Sequence, residues 1–439
     1  MIQIIIFTII SISIIYLAGI KYYAIYRNIQ LGKKEILEGS AWDRWKNMLF
    51  FALGQRKMFT RPVSGIFHFF IYTAFIITQI EFVEIFIDGL SGTHRFFVNK
   101  LGGFYPFVIN TIEILSLFAF VATIIFLYRR NILKLIRFQN PELKGWPSTD
   151  ANLILFGEIL LILGIFTMNA ADQSLQKIDP QHFNTTGTFI LSNIFSETVL
   201  YALPYDVLIL LERTGWWLHY LVVMGFILYL PNSKHLHIFL AFPNSYYAKL
   251  TPRGMMSNMP VIENEVRSML GLKTSDIVAN ENENFGVKDV MDLGWRSLLE
   301  AYSCTECGRC TSVCPANLTG KKLSPRKIIM DIRDRLEVVG AHITKNEYIQ
   351  NGDLKSFDDG KSLFDVISKE EIYACTSCNA CVEACPVLIN PMDPILQMRR
   401  YDVLTNSGGP SEWVPMFNSL ENNQAVWALS QSRTDWAKN

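Results

Sequence analysis

Apolar residues crowd the first 240 positions of the chain, whereas the remainder mixes polar and charged residues as a soluble segment does. A helix that crosses a bilayer needs about 20 apolar residues. Five stretches meet this length, and we predict membrane spans at about 2–26, 63–88, 106–128, 151–171 and 207–231. A further apolar stretch at 186–203 contains Asn193, Ser196 and Glu197. We therefore predict an external interfacial helix there, with a sixth span as the alternative.

The basic residues between the spans predict the orientation. The connections 27–61 and 129–150 carry many Lys and Arg residues, whereas 89–105 holds only Arg95 and Lys100, and 172–206 holds only Lys177. Cytoplasmic connections are enriched in Lys and Arg. We expect a multi-pass protein of the cytoplasmic membrane, with the N-terminus outside and the C-terminal segment in the cytoplasm.

All eight cysteines fall in two runs of identical spacing, Cys-x2-Cys-x2-Cys-x3-Cys-Pro. This spacing is typical of bacterial ferredoxins that bind [4Fe–4S] clusters, in which the last cysteine of each run ligates the other cluster. We therefore predict one cluster on Cys304, Cys307, Cys310 and Cys385, and a second on Cys375, Cys378, Cys381 and Cys314. A cytoplasmic location argues against disulfides, and zinc sites normally use pairs of CxxC knuckles.

Length and composition set the domain organisation. The 439 residues predict two or three domains. The chain has 40 Lys and Arg against 40 Asp and Glu, without a basic domain, which argues against nucleic-acid binding. We predict a transmembrane haem domain at 1–240, a linker at 241–290, a ferredoxin-type domain at 291–405 and a tail at 406–439. The fold class is mainly α, a five-helix bundle followed by a helical ferredoxin domain.

Three histidines are candidates for haem ligands. His68 lies six residues after Pro62, at the start of the second span, and His237 closes the last span. Histidine in a membrane helix is usually functional, and haem b commonly takes axial histidines. The pair predicts a bis-histidine haem b near the cytoplasmic edge; histidines hydrogen-bonded within the bundle are the alternative. His219 lies 18 residues before His237, so in one helix both would share a face about 27 Å apart, with His235 opposite.

Other polar residues suggest a second haem or a quinone site near the outer edge. A second haem at His219 would need another ligand, which His94 in the outer loop could supply; His94 could equally belong to a quinol pocket or be solvated. Carboxylates within spans are candidates for proton transfer. They are Glu81, Glu84, Glu113 and Glu158. Each could instead be a structural partner for a nearby hydroxyl or amide.

Two resemblances support these interpretations. Residues 231–237, Pro-Asn-Ser-Lys-His-Leu-His, resemble the haem-ligand signature of the nitrate reductase gamma subunit family. That family has five spans, an external N-terminus and ligand histidines on its second and fifth helices. The resemblance implies His237 rather than His235 as the ligand. The family carries two histidines in the second span, where this chain has only His68, so one haem or two is left open.

Residues 290–405 resemble the small iron–sulfur subunit of heterodisulfide reductase and the related subunit of anaerobic glycerol-3-phosphate dehydrogenase. Those proteins place two cysteine runs about 60 residues apart, as here, in a helical ferredoxin domain. Together the resemblances imply a membrane-bound, heterodisulfide reductase-related iron–sulfur oxidoreductase. They also imply a separate catalytic protein with cysteine-rich CCG motifs, because every cysteine here is used by the two runs.

The function that follows is electron transfer. We expect a subunit that links a cytoplasmic redox partner, two [4Fe–4S] clusters, one or two haems b and a quinone such as menaquinone. The residues leave open the direction and the soluble donor, which could be an electron-transfer flavoprotein, lactate, glycerol phosphate or a thiol–disulfide pair. Whether the chain is itself an enzyme is equally open. The alternatives are a haem-free membrane anchor that docks an iron–sulfur domain and its catalytic partner, and a redox sensor.

Overall fold

The computed structural model describes residues 1–252, 254–274, 285–345, 357–427 and 434–437. Within these ranges the chain is mainly α-helical and contains no β-strand. One isolated parallel bridge joins Lys33 to Gly294. The mainly helical fold class predicted from the sequence is therefore confirmed.

Five helices are long and apolar enough to cross a membrane, which confirms the predicted number of such segments among the described residues. Three of them have a proline in the first turn. The N–H groups of the first turn have no partner within the helix, so the missing N–H of proline costs no helical hydrogen bond there. The helix that contains His68 ends at Gly92, whose φ of 72° is left-handed and closes the last turn. The bounds are α1 Ile2–Ile29, α3 Pro62–Ser91, α5 Tyr105–Asn131, α6 Trp146–Ile178 and α8 Tyr205–Tyr229.

Shorter helices complete the membrane part. They are α2 Ala41–Met48, α4 Val98–Leu101, α7 Ile190–Phe195 and α9 His237–Tyr247. The apolar stretch predicted as an interfacial helix contains a short helix, Ile190–Leu200, which is below the length of a span. Helix α3 packs chiefly on α5, and α6 packs chiefly on α8. The bundle thus consists of two close helix pairs, with α1 lying against α3 and α8.

The C-terminal part is a set of short helices around the cysteine runs. They are α10 Pro260–Met269, α11 Trp295–Tyr302, α12 Pro315–Leu318, α13 Pro325–Lys345, α14 Lys369–Ala374, α15 Ala380–Ala384, α16 Met392–Leu404 and α17 Trp413–Asn423. The segment predicted as a linker, 241–290, includes the end of α9 and all of α10, and its residues 275–284 lie outside the described ranges. The domain boundaries stay a prediction.

The two parts of the molecule share one apolar core. Ile25 and Ile29, at the end of α1, are buried together with Leu298, Leu336 and other apolar residues of the C-terminal helices. Gly340 on α13 lets the Asn28 side chain approach the backbone. Burial of apolar side chains is the main source of packing energy. The cysteine-containing domain is therefore packed directly on the end of the bundle.

Candidate functional site

The two cysteine runs fold with the same local backbone. Glu306 and Gly308 in the first run have φ angles of 52° and 70°, and Ser377 and Asn379 at the matching positions have 55° and 61°. These left-handed turns point backbone N–H groups at sulfur. The N–H of Glu306 lies 3.5 Å, and that of Ser377 3.4 Å, from Sγ of the first cysteine in its run. Hydrogen bonds to cluster sulfurs are one means by which proteins set redox potentials.

Cysteines from both runs line one cavity. Its wall includes Cys304, Cys307 and Cys310 from the first run and Cys385 from the second. The remaining cysteines interact electrostatically with one another; they are Cys314, Cys375, Cys378 and Cys381. The structure therefore brings together the same two sets that the spacing predicts. That each set ligates a cluster stays a prediction.

All eight cysteines are unbridged. Burial raises the pKa of the Cys304, Cys381 and Cys385 thiols to about 12, so binding of iron has to release their protons. Among the described residues, no three or more His, Cys, Asp or Glu side chains converge on a single metal ion. A [4Fe–4S] cluster makes a different demand, because its four thiolates bind four different irons around a larger volume.

Three histidines gather at the end of the bundle on which the cysteine-containing domain packs. The rings of His235 and His237 lie 5.8 Å apart, and both histidines interact electrostatically with His68. His237 Nδ1 lies 3.1 Å from the Lys234 carbonyl oxygen. A carbonyl can only accept, so Nδ1 donates and Nε2 keeps its lone pair, the arrangement typical of a metal-binding histidine. Burial lowers the pKa of His237, which favours the neutral, metal-binding imidazole.

The backbone before His237 differs from the expectation. Helix α8 ends before Pro231, and 3₁₀ turns continue until His237 begins the next helix. Proline lacks the N–H that a continuous helix requires. The prediction that His219 and His237 share one face of a single helix, with His235 opposite, is therefore wrong. His235 stands beside His237 instead.

His219 lies between two closely packed helices. Its side chain is buried, and its Nδ1 lies 3.1 Å from the Leu161 carbonyl oxygen of α6, which again leaves Nε2 as the acceptor. The close approach depends on glycine. A Cβ on Gly215 would lie 2.5 Å from the Met168 nitrogen and 2.6 Å from the Gly164 oxygen. His219 thus has the hydrogen-bond pattern of a ligand, on a helix whose backbone lies close to that of α6.

A buried charged network lies at the other end of the bundle. Arg95 extends from the loop after α3, and its Nε lies 3.0 Å from Asp172 Oδ2 while its Nη2 lies 2.5 Å from Asn169 Oδ1. His94 Nε2 lies 2.9 Å from Asp172 Oδ1. Arg95 also pairs with Glu81 at 3.4 Å. Buried charges are normally paired, so this network fixes the loop on the bundle.

A cavity of about 210 Å³ opens beside this network. Its walls come from α1, α3 and α8 and include Glu84, Asp88, His94 and Glu212. The Nδ1 atom of His94 is buried and has no hydrogen-bond partner among the described residues. The cavity therefore presents an imidazole and several carboxylates at the end opposite the cysteines.

Two of the predicted carboxylates have structural partners. Glu113 accepts hydrogen bonds from the backbone N–H groups of Leu191, at 2.9 Å, and Ser192. It therefore fastens the short helix α7 to α5. Glu158 accepts a 3.0 Å hydrogen bond from Thr123 Oγ1. These contacts favour the structural alternative for both residues.

The predictions from the sequence did not include the residues that join the membrane helices to the cysteine-containing domain. Glu306 and Arg309 lie between the cysteines of the first run, where only the spacing was considered. Glu306 Oε2 lies 2.7 Å from Lys234 Nζ, and Arg309 Nη1 lies 2.8 Å from the Lys57 carbonyl oxygen. The charged residues themselves were a signal, because a charged residue between buried cysteines needs a partner. The sequence does not show which residue, far away in the chain, is that partner.

Comparison with known proteins supports the cysteine-rich part most directly. Residues 303–390 match the model of a 4Fe-4S dicluster domain. Residues over 24% of the chain are 31% identical to one component of the ferredoxin:CoB-CoM heterodisulfide reductase of Methanosarcina mazei, covering 48% of that protein. No solved structure matches the chain significantly.

Two longer relatives match nearly the whole chain. The probable iron-sulfur-binding oxidoreductase FadF of Bacillus subtilis is 28% identical over 93% of this chain and 57% of its own length. The EtfAB:quinone oxidoreductase of Syntrophomonas wolfei is 26% identical over 88% of this chain and 52% of its own length. The chain thus spans about half the length of these curated relatives. It is homologous to iron–sulfur oxidoreductases, carries a 4Fe–4S domain and has membrane-type helices.

Proposed function

We propose that this chain is the membrane electron-transfer subunit of an oxidoreductase complex, passing electrons between a cytoplasmic redox partner, two [4Fe–4S] clusters, haem b and the quinone pool. One observation carries the proposal. Two sets of four cysteines lie in a domain packed on the same bundle end where three histidines meet. Cysteines and histidines in one packed unit are the ligands that an electron-transfer chain requires.

The iron–sulfur centres use the cysteine sets already described. Cys304, Cys307, Cys310 and Cys385 hold the first cluster, and Cys375, Cys378, Cys381 and Cys314 hold the second. The crossed pattern is supported by the shared cavity wall of Cys304 and Cys385. It is supported as well by the electrostatic interaction of Cys314 with Cys375.

The histidines fit a haem b. His237 has its Nδ1 fixed by a carbonyl, and the buried Nδ1 of His68 has no partner among the described residues. In this proposal His68 and His237 would hold the haem, and His219 is the candidate residue for holding a second one. When bound, the haem supplies a one-electron centre inside the membrane. The Lys234 carbonyl oxygen orients the His237 ring.

A quinone is the proposed partner within the membrane. The Syntrophomonas relative is by name a quinone oxidoreductase. The outer cavity supplies what quinone chemistry needs besides electrons, since His94 offers an imidazole and Glu81 lies behind it on Arg95. Three buried carboxylates, Glu81, Glu84 and Asp172, pair with the Arg95 guanidinium. Asp88 accepts from the Arg95 backbone N–H, and His94 bonds to Asp172. Because the carboxylates outnumber the cation, a proton can be held in the network.

The orientation and the soluble partner belong to the same proposal. The excess of basic residues in 27–61 and 129–150 supports a cytoplasmic iron–sulfur domain. The two longer relatives extend well beyond the region that this chain covers. We infer that an iron–sulfur partner with CCG motifs, or an electron-transfer flavoprotein, exchanges electrons with the cytoplasmic domain.

The test is anaerobic purification from membranes, followed by counts of haem, iron and acid-labile sulfide on one sample. We expect one or two haems b beside about eight non-haem irons, the content of two [4Fe–4S] clusters, and haem reduction by a reduced quinol analogue. The variant His68→Ala should lose haem, whereas His182→Ala, which changes an exposed histidine, should keep it. Iron without haem would leave a haem-free anchor, and haem that quinol cannot reduce would remove the quinone from the proposal.

A further inference from the structure

The first cysteine run is seated on the histidine end of the bundle. We propose that the Cys304–Cys307–Cys310–Cys385 centre is the one that exchanges electrons with the membrane, and that Glu306 and Arg309 are positioning residues that hold it over His237 and His68. The inference rests on the proposed function and specifies the order of its centres. Two buried residues that flank Cys307 carry it: Glu306 forms an ion pair with Lys234, and Arg309 donates hydrogen bonds to backbone carbonyl oxygens.

The Glu306 contact leads to His237. The carboxylate of Glu306 lies 2.7 Å from Lys234 Nζ on one oxygen and 2.9 Å from Arg333 Nη1 on the other. Lys234 in turn supplies the carbonyl that orients the His237 ring. Glu306 and Lys234 are both buried, so the contact excludes solvent and fixes distance. Cys304, whose sulfur faces the Glu306 N–H, is thereby linked to His237 through two residues.

The Arg309 contact leads to His68. The guanidinium donates to the carbonyl oxygens of Lys57 at 2.8 Å and Met58 at 3.2 Å. That segment lies directly on the first turn of α3, because a Cβ on Gly65 would lie 2.8 Å from the Met58 oxygen. Arg309 also interacts electrostatically with His68. A second bond nearby, from Arg61 to Ser312 Oγ at 2.6 Å, fastens the end of the same loop.

The second cysteine set lies in a different environment. Cys378 is exposed, and the Arg399 guanidinium that caps the Cys375 carbonyl belongs to the same domain. The exposed side of this set is where a soluble partner can approach. Electrons that cross the protein therefore pass the Cys378 centre on the partner side and the Cys307 centre on the membrane side.

The positive side chains near the first cysteine set should make the redox potentials of the two clusters differ. Four thiolates make a [4Fe–4S] cluster anionic, and reduction adds one more negative charge. Arg137 and Arg309 interact electrostatically with Cys307, and Arg61 lies in the same group of cations. Opposite charge favours the more negative state. We therefore expect the membrane-side cluster to have the higher midpoint potential.

The experiment measures both potentials in the full-length protein by redox titration followed by electron paramagnetic resonance. A Cys378→Ser variant, altered only in the partner-side centre, identifies the two signals. Arg309→Gln removes a positive charge and should lower the potential of the membrane-side cluster. Glu306→Gln removes a negative charge beside Lys234 and Arg333 and should raise it. In both variants the other cluster should keep its potential.

Two further variants separate position from folding. Arg309→Lys keeps the charge but not the forked hydrogen bonds, so the cluster potential should be retained while haem reduction by the clusters slows. Lys322→Gln breaks an exposed ion pair with Glu370 and should change neither potential, because solvent screens such pairs. Shifts in the partner-side cluster, or equal shifts in both, would overturn the inference. Preparations without haem would refute the part of the proposed function in which haem carries electrons. The two cluster potentials would still show which cluster lies on the membrane side.

Discussion

The contact between α6 and α8 leads to a prediction whose size can be worked out from the structure. We consider Gly215→Ala and, as the matched control, Gly225→Ala in the same helix. A Cβ at Gly215 would lie 2.5 Å from the Met168 nitrogen and 2.6 Å from the Gly164 oxygen, whereas a Cβ at Gly225 would meet nothing within 4 Å. Both atoms that crowd Gly215 are backbone, so the two helices must move apart.

The comparison isolates the packing cost. Replacing glycine by alanine inside a helix favours the helix by about 1 kcal/mol, and this gain is common to both variants. Forcing an extra methyl group into a filled site typically costs about 1–3 kcal/mol. We therefore expect Gly215→Ala to be less stable than Gly225→Ala by about 1–3 kcal/mol, with Gly225→Ala at or above the parent protein.

The assay is thermal denaturation of the purified protein in one detergent, scored as the fraction that stays monodisperse after heating. The separation of the helices should also weaken the bond from His219 to Leu161, since it spans the same interface. Equal denaturation midpoints for the two alanine variants would refute the reasoning, because they would mean that the close approach of the backbones carries no energy.

Three further predictions concern the cysteine-containing domain. Cys378→Ser should lower non-haem iron from about eight to about four per chain, measured by iron analysis, because the other cysteine set is untouched. Gly308→Ala should reduce iron content more than Gly320→Ala; both have left-handed φ angles, of 70° and 83°, but only at Gly308 would a Cβ meet the Arg326 guanidinium. Burial raises the pKa of Glu300 to about 8, so the folded domain holds a proton that the unfolded chain loses above its ordinary pKa of 4.5. The associated stability is present below that value and is lost as the pH rises through about 8. Resistance of the cluster absorbance to urea should therefore fall between about pH 4.5 and about pH 8, and less so in Glu300→Gln; equal pH dependence in both proteins would contradict this assignment.

The helices of the membrane part could be predicted because apolar length is a local property. The predicted span 63–88 corresponds to Pro62–Ser91, and 151–171 corresponds to Trp146–Ile178. The helices are longer than the predicted spans. The length of an apolar stretch reflects the thickness of the membrane, whereas a helix can continue beyond it into polar residues until a residue such as Gly92 ends it. The placement of His219, His235 and His237 on one helix was wrong because the predicted helix was extended through Pro231, although proline removes a helical hydrogen bond.

Pairing over long distances could not be predicted in the same way. Arg95 was counted only as one of two basic residues in an outer loop, yet it is buried against Asp172 and Asn169 on another helix. Glu306 is 72 residues from its partner Lys234. A single sequence shows which charged residues are present. Which residue each of them pairs with depends on how the helices pack. The cysteine sets were predictable because their spacing is itself the ligand pattern.

Under the proposed function, the basic residues at the histidine end of the bundle have two roles that a single mutation cannot separate. Arg61 and Arg137 belong to the connections whose charge predicts the orientation. In the structure Arg61 also bonds Ser312 beside the first cysteine run, and Arg137 interacts electrostatically with Cys307. On the same proposal, a cation there both orients the protein in the membrane and lies beside an anionic cluster. Arg309 lies outside the membrane connections, so its charge can be changed without changing the charge of those connections.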